Sequence, residues 1–250
     1  MSTAMLCLDG VVKCREQGGS RFELEIPAFS VSAGELVAVV GASGCGKSTL
    51  LDLLAMVMEP TETDRFHFRP SQDAAPIDVG GLWTRAREGE LAGLRRDYLG
   101  YVLQTGGLLP FVSVRDNIRL PGRIRGGSDA GQVRRIAALA GRLGVAACLD
   151  RMPHALSVGQ RQRVAIARAL AHAPRLVLAD EPTAAVDKAR ARDIMQDFHA
   201  LARDEDVAVV MVTHDVELVM DHADRFYTFD VQQITAQRTR SVCRPLHVVQ

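Results

Sequence analysis

The stretch "ELVAVVGASGCGKSTLLDLL" constrains this chain more than any other. An apolar run, Glu35 to Val40, leads into a glycine loop, and the loop leads directly into an apolar helix opened by Lys47-Ser48-Thr49. The spacing is G-x-x-x-x-G-K-[ST], with Gly41, Gly46, Lys47 and Ser48 in the fixed positions. Glycine lets the loop turn its N–H groups inward, and a helix start adds the positive end of its dipole. Such a loop cradles phosphate. Lys47 supplies a point charge for β- and γ-phosphates, and the Ser48 hydroxyl can ligate Mg²⁺.

A nucleotide loop needs a carboxylate for the metal and a base for water. "LVLADE" supplies both: Leu176 to Ala179 are apolar, then come Asp180 and Glu181. A buried strand would carry Asp180 to its carboxyl end, where α/β sheets bind ligands. Asp180 is then expected to hold Mg²⁺, and Glu181 to polarise the attacking water.

These elements specify a P-loop NTPase, and a third narrows it. "LSVGQRQRVAIARALA", Leu156 to Ala171, begins with small and polar residues and continues at helical spacing. It resembles the signature of ATP-binding cassette (ABC) ATPases, commonly L-S-G-G-Q. Further matches follow in family order: Gln104 in "YVLQTGG" resembles the glutamine-loop residue, "AAVD" ending at Asp187 the D-loop, and His214 in "VMVTHD" the switch histidine. The resemblance implies a P-loop NTPase core of α/β class with an antiparallel β subdomain and an inserted helical subdomain. The expected division is residues 1–103 and 174–250 for the core and 104–173 for the helical part. It also implies that Gly41, Ser43, Gly44, Cys45, Gly46, Lys47, Ser48 and Thr49 bind the nucleotide. Ser157, Gly159, Gln160 and Asp187 would serve ATP across a dimer. Gln104, Glu181 and His214 would be catalytic, with Ser48, Gln104 and Asp180 at the metal. The cofactors implied are ATP and Mg²⁺.

Two departures stand out. Val158 replaces a glycine in the signature, and would be strained if that position required positive φ. No aromatic residue lies in Val12–Gln17, where the family stacks adenine; Phe22 is a candidate, but "FELEI" also reads as a strand with a core phenylalanine. Cys45 in the loop would block ATP if oxidised, but it reads as a small tolerated residue rather than a redox control.

Along the chain, residues 5–40 read as strands, 47–58 as a helix, and 59–81 mainly as loop with a short strand at Phe66–Phe68. A helix and then a strand ending at Gln104 follow. Residues 105–172 read as helical; strand, helix and strand return afterwards, and the polar tail 231–250 gives no clear pattern.

The 30 basic and 30 acidic residues cancel, which offers no attraction to nucleic acid. Five cysteines without a C-x-x-C pair fit a reducing cytoplasm. No window nears ~18 uninterrupted apolar residues, and no leader pattern opens the chain, so separate transmembrane permease subunits are the expected partners. The expected location is cytoplasmic, peripheral on the inner face of the membrane, with a homodimer or paired ATPase subunit in the ATP state. "LRRDYLGYVLQTGGLLPFVSVRDNI" resembles the subgroup serving lipoprotein release, macrolide export and cell-division signalling. The alternatives are a solute-importer subunit and an ABC ATPase acting on DNA or ribosomes.

Overall fold

The computed structural model describes residues 4–126, 129–184, 186 and 188–247. In chain order the elements are β1 (Leu6–Gln17), β2 (Ser20–Val31), β3 (Leu36–Val40), α1 (Lys47–Leu54), β4 (Arg65–Phe68) and β5 (Ile77–Asp78). Then come α2 (Val79–Thr84), α3 (Glu88–Tyr98), β6 (Leu99–Val102), α4 (Val114–Arg125), α5 (Asp129–Arg142) and α6 (Val158–Leu170). The chain closes with β7 (Leu176–Asp180), α7 (Lys188–Glu205), β8 (Ala208–Thr213), α8 (Val216–Met220), β9 (Arg225–Thr235) and β10 (Arg238–Leu246).

One mixed sheet carries the strands in the order β5-β4-β1-β2-β10-β9-β3-β8-β7-β6. The segment β9-β3-β8-β7-β6 is parallel throughout. The segment β5-β4-β1-β2 is antiparallel. Strand β10 joins them, running parallel to β2 and antiparallel to β9.

The two-residue period of a strand divides the core between the faces of this sheet. On β3, Leu36, Ala38 and Val40 belong to one apolar cluster, and Val37 and Val39 to the other. Strands β7 and β8 alternate likewise, with Val177, Ala179, Val209 and Met211 on the first face and Leu178, Val210 and Val212 on the second. The first face packs against α4, α5, α6 and α7 through Ile118, Leu139, Ile166 and Phe198. The second covers α1, α2 and α3 and the strands β1, β2 and β4 through Leu50, Leu82, Leu91, Phe29 and Phe66. Being buried on both faces explains why β3, β7 and β8 read as continuous apolar runs.

Several expectations change. Helix α1 ends at Leu54 rather than at 58, and the chain leaves it with Met56 at φ 57°. Residues 59–81 hold β4, and also β5 and the start of α2, whose first turn is capped by Asp78 accepting from the Gly81 N–H. Strand β6 stops at Val102, so Gln104 lies beyond it. The tail is a hairpin: β9 and β10 span Arg225–Leu246 and include most of the stretch that showed no pattern. Trp83 is partly buried against the second cluster, a packing role. Among the described residues, no helix is long and apolar enough to cross a membrane.

Candidate functional site

Four adjacent parallel strands end together. Their carboxyl ends release Gly41 after β3, His214 after β8, Glu181 after β7 and Gln104 after β6. This is where a parallel α/β sheet places its chemistry.

The glycine loop needs its glycines at two points. Gly46 has φ 113°, and a Cβ there would lie 3.1 Å from the Phe22 ring and 3.3 Å from Leu24. Gly41 passes so close to the loop's own cysteine that a Cβ would meet Cys45 Sγ at 2.6 Å. Gly46 is also the N-cap of α1 and brings no side-chain cap, so the first amides of that helix keep their donors for an outside acceptor. Lys47, 8% exposed, folds over the loop: Nζ donates to the carbonyls of Gly41 at 2.7 Å and Ala42 at 2.9 Å.

The acidic side of the site is centred on Glu181. Its backbone takes φ 41°, a left-handed turn directly after β7. For a residue other than glycine this costs on the order of 1–2 kcal/mol, and it aims the carboxylate across the strand ends. Oε1 lies 3.8 Å from Lys47 Nζ. Oε2 accepts from Gln104 Nε2 at 3.3 Å and lies 3.2 Å from His214 Nδ1. The start of α1 and the segments after β6 and β8 therefore bring a cation, an amide and an imidazole to one carboxylate. Asp180 stands beside it. Burial, then the neighbouring Glu181 and Asp52 carboxylates, hold the Asp180 carboxyl above its ordinary range, with Lys47 opposing them. Burial also raises Asp52, and Tyr101 is raised by burial and by Asp180 and Asp52.

Lys47, Gln104, Asp180 and Glu181 line one cavity of about 690 Å³, and His214 meets Glu181 from outside that lining. Ser43, Gly44, Gly46, Lys47, Ser48, Thr49, Gln104, Asp180 and Glu181 form its loop end. Gly41 and Cys45 do not line it. Cys45 is buried and its thiol is pushed up by burial, and the Cys243 thiol beside it is pushed up to about 12. Such thiols are packing residues rather than reactive thiolates. Buried Ser241 on β10 donates to the Cys45 carbonyl at 2.6 Å and so ties the C-terminal hairpin to the loop.

The cavity chemistry suits a magnesium nucleotide. A loop that needs glycine at Gly41 and Gly46, a lysine over it and uncapped helix amides match phosphate. Among the described residues no cluster of three His, Cys, Asp or Glu could hold a metal alone. A hydroxyl, Ser48, and one raised carboxyl, Asp180, instead fit an ion that takes its remaining ligands from water and phosphate.

The signature residues stand apart from this cavity. Ser157 caps α6: its Oγ accepts from the Gln160 N–H at 3.2 Å, and Gln160 Oε1 accepts from the Ser157 N–H at 3.0 Å. That reciprocal cap leaves the hydroxyl proton of Ser157 free to donate. Val158 takes the first helical position, 43% exposed and without positive φ, so the expected strain is absent. Gly159 follows it in the first turn. Asp187 lies outside the described residues.

Sequence reasoning missed several functional neighbours. Arg15, Gln17, Ser20 and Arg21 from β1, β2 and their turn, and Thr239 from β10, line the rest of the cavity. No local pattern marks them, because a long-range pairing of β10 with β2 brings the hairpin here. Arg168 of α6 was also unmarked. Its guanidinium donates to the carbonyls of Gly107 at 2.7 Å and Gly106 at 2.8 Å, fastening the segment after Gln104 to the signature helix.

A model of the ABC transporter family matches residues 24–184. The lipoprotein-releasing system ATP-binding protein LolD 1 of Rhodospirillum rubrum is 37% identical over 94% of this chain and 100% of its own length. The macrolide export ATP-binding/permease protein MacB 2 of Aeromonas hydrophila is 37% identical over 91% of this chain. The chain spans only 33% of that relative's length. Among solved structures, the dimeric post-hydrolysis state of the ATP-binding cassette MJ0796 bound to ADP and Pi matches with a TM-score of 0.75 and 32% identity. That match covers 90% of this chain and 94% of the cassette.

Proposed function

Because the chain belongs to the ABC transporter family, a family of ATP-hydrolysing cassettes, we propose that it powers a membrane export or force-transmitting complex through a separate transmembrane partner. The observation that carries the chemistry is the convergence of Lys47, Gln104 and His214 on the Glu181 carboxylate at the mouth of the glycine loop.

In this reading the loop amides and Lys47 hold the β- and γ-phosphates. Lys47 exchanges its two loop carbonyls for phosphate oxygens. Ser48, Asp180 and Gln104 hold Mg²⁺, which supplies charge neutralisation on the phosphates when bound. Glu181 accepts the proton of the attacking water. His214 and Gln104 hold the carboxylate in place through Oε2, and His214 can donate to the γ-phosphate instead. The free hydroxyl proton of Ser157, with the first-turn amide of Gly159, serves the ATP held by a second copy. The helical insertion, residues 104–173, would then move with the nucleotide state. Arg168 supports this by holding the Gln104 segment to the signature helix. Hydrolysis reopens the clamp and moves the partner, which places the chain peripherally on the inner face of the membrane.

The likeness to LolD 1 and to the macrolide exporters supports an export or extraction role over import. The test is a pull-down of tagged Glu181→Gln from detergent-solubilised membranes with Mg-ATP, followed by mass spectrometry. A stoichiometric polytopic membrane protein is expected. Recovery with an extracytoplasmic solute-binding system would move the reading to import. Recovery of ribosomes or DNA-bound proteins alone would overturn the membrane role.

A further inference from the structure

A second cavity lies at the amino ends of the parallel strands, away from Glu181. Tyr98, Arg175 and Val207, the residues that lead into β6, β7 and β8, form part of its wall. Its volume is about 790 Å³. Arg125 of α4 and Arg135 and Arg142 of α5 line one side, and Arg175, Asp204 and Glu205 line the other. Four guanidiniums therefore share one hollow with two carboxylates.

The protein holds these guanidiniums through only part of their donors. Arg125 Nη1 donates to the His172 carbonyl at 2.6 Å, and its Nε lies 3.8 Å from Asp97. Arg135 donates to the Leu170 carbonyl through Nε at 3.1 Å and Nη2 at 3.0 Å, and reaches Glu205 at 2.7 Å. Arg142 donates to Asp204 at 2.8 Å. Each guanidinium carries five N–H donors, so Nη1 of Arg135 and Nη2 of Arg125 remain open. Arg175 keeps all five: its side chain has no ion pair or hydrogen bond among the described residues. A smaller cavity of about 110 Å³ shares Pro70, Ser71 and Arg175 with the first, and Arg69 lines it. Arg69 Nη1 donates to the Ala74 carbonyl at 2.7 Å, but its Nε is buried with no partner among the described residues.

The two carboxylates account for Arg135 and Arg142. They leave Arg175 and the buried Arg69 Nε unanswered, and an unmet buried donor is costly. A phosphate group offers several acceptor oxygens at once, in a geometry that guanidinium forks match.

We propose that this cavity binds a phosphorylated anion carrying two or more negative charges, with Arg175 as the main contact and Arg69 and Arg125 to either side. Arg125 comes from α4, whereas Arg69 follows β4 and Arg175 precedes β7, so an occupant ties the helical side to the sheet at the end remote from the phosphate loop. A free phosphorylated small molecule and the headgroup of an anionic phospholipid share this chemistry.

The test is calorimetry on the whole chain with saturating Mg-ADP, which keeps the phosphate loop filled. The probe is fructose 1,6-bisphosphate, with fructose as the uncharged control. Wild type should bind the bisphosphate at one saturable site, more weakly as salt is added, and should not bind fructose. Arg175→Ala should weaken binding by about tenfold or more, the loss of a charge-assisted contact. Arg192→Ala, at an exposed arginine of α7 outside the cavity, should leave it within about twofold. Circular dichroism of both variants checks that the fold is kept. Cosedimentation with phosphatidylcholine vesicles, with and without phosphatidic acid, separates the two sources. Arg175-dependent capture by the phosphatidic acid vesicles assigns the site to a headgroup, and bisphosphate binding without such capture assigns it to a free small molecule. If neither probe binds in an Arg175-dependent way, or if Arg175→Ala and Arg192→Ala weaken binding equally, the proposal is overturned. No arm reads hydrolysis, so that result would leave the ATPase reading untouched.

Discussion

Glu181→Gln separates binding from chemistry at this site. The substitution keeps the side chain's shape and removes its charge and its capacity to take a proton. Oε2 accepts from Gln104 Nε2 at 3.3 Å and lies 3.2 Å from His214 Nδ1. One amide oxygen can keep these contacts. Oε1 lies 3.8 Å from Lys47 Nζ, an attraction of about 4 kcal/mol at an effective dielectric constant of 20. Desolvation of the pair offsets much of that, and Lys47 retains its two loop carbonyls. Removing a negative charge from beside the place of the γ-phosphate also lessens repulsion. ATP affinity should therefore stay the same or tighten. Loss of a general base lowers rates by about 10²–10⁴-fold, which is roughly 2.7–5.4 kcal/mol of barrier. Single-turnover hydrolysis of γ-labelled ATP measures the rate, and calorimetry the affinity. A rate within tenfold of wild type would put the proton acceptor elsewhere. ATP binding weakened more than tenfold would make Glu181 a structural partner of Lys47 instead.

His214→Ala and Gln104→Ala should each slow turnover more than they weaken binding. Because both side chains meet the same carboxylate oxygen, the double variant should lose less than the sum of the two, and strict additivity in a double-mutant cycle would show independent roles. Gly46→Ala should cost on the order of 1–2 kcal/mol in backbone strain, with a further penalty against Phe22, and an unchanged Tm with intact ATP binding would contradict the loop geometry. Asp180→Asn tests the raised carboxyl. A folded pKa above the ordinary value means the folded state binds that proton more tightly, so wild type loses stability relative to Asp180→Asn as pH rises from about 3.8 through the raised pKa. Asp180 is partly exposed, so solvent screening keeps the effect under about 1 kcal/mol. Urea titrations at several pH values would show the difference, and a flat difference would refute the shift.

The motifs were legible because each occupies a short segment next to a strand end. Gly41 to Thr49, Asp180-Glu181 and His214 need no long-range knowledge to be found, since the apolar runs before them announce buried strands. What the sequence concealed depends on pairing across the chain. Strand β10 is mainly polar, with only Ser241 and Cys243 fully buried, and its insertion between β2 and β9 makes it a strand. That insertion brings Ser241 under the loop and Thr239 to the cavity wall. The φ of 41° at Glu181 is likewise invisible in a residue type that rarely adopts it. At Val158 the question of strain turned on a backbone angle that the sequence does not show, and the first helical position it takes needs no positive φ.

Two copies closing on ATP is tested most directly by light scattering on size-separated Glu181→Gln. With saturating Mg-ATP the 27.2 kDa chain should run at twice its mass, and should return to a single chain when nucleotide is removed or when Ser157→Arg blocks the signature. A single chain at saturating Mg-ATP, with ATP shown to be bound, would contradict a site completed by a second copy.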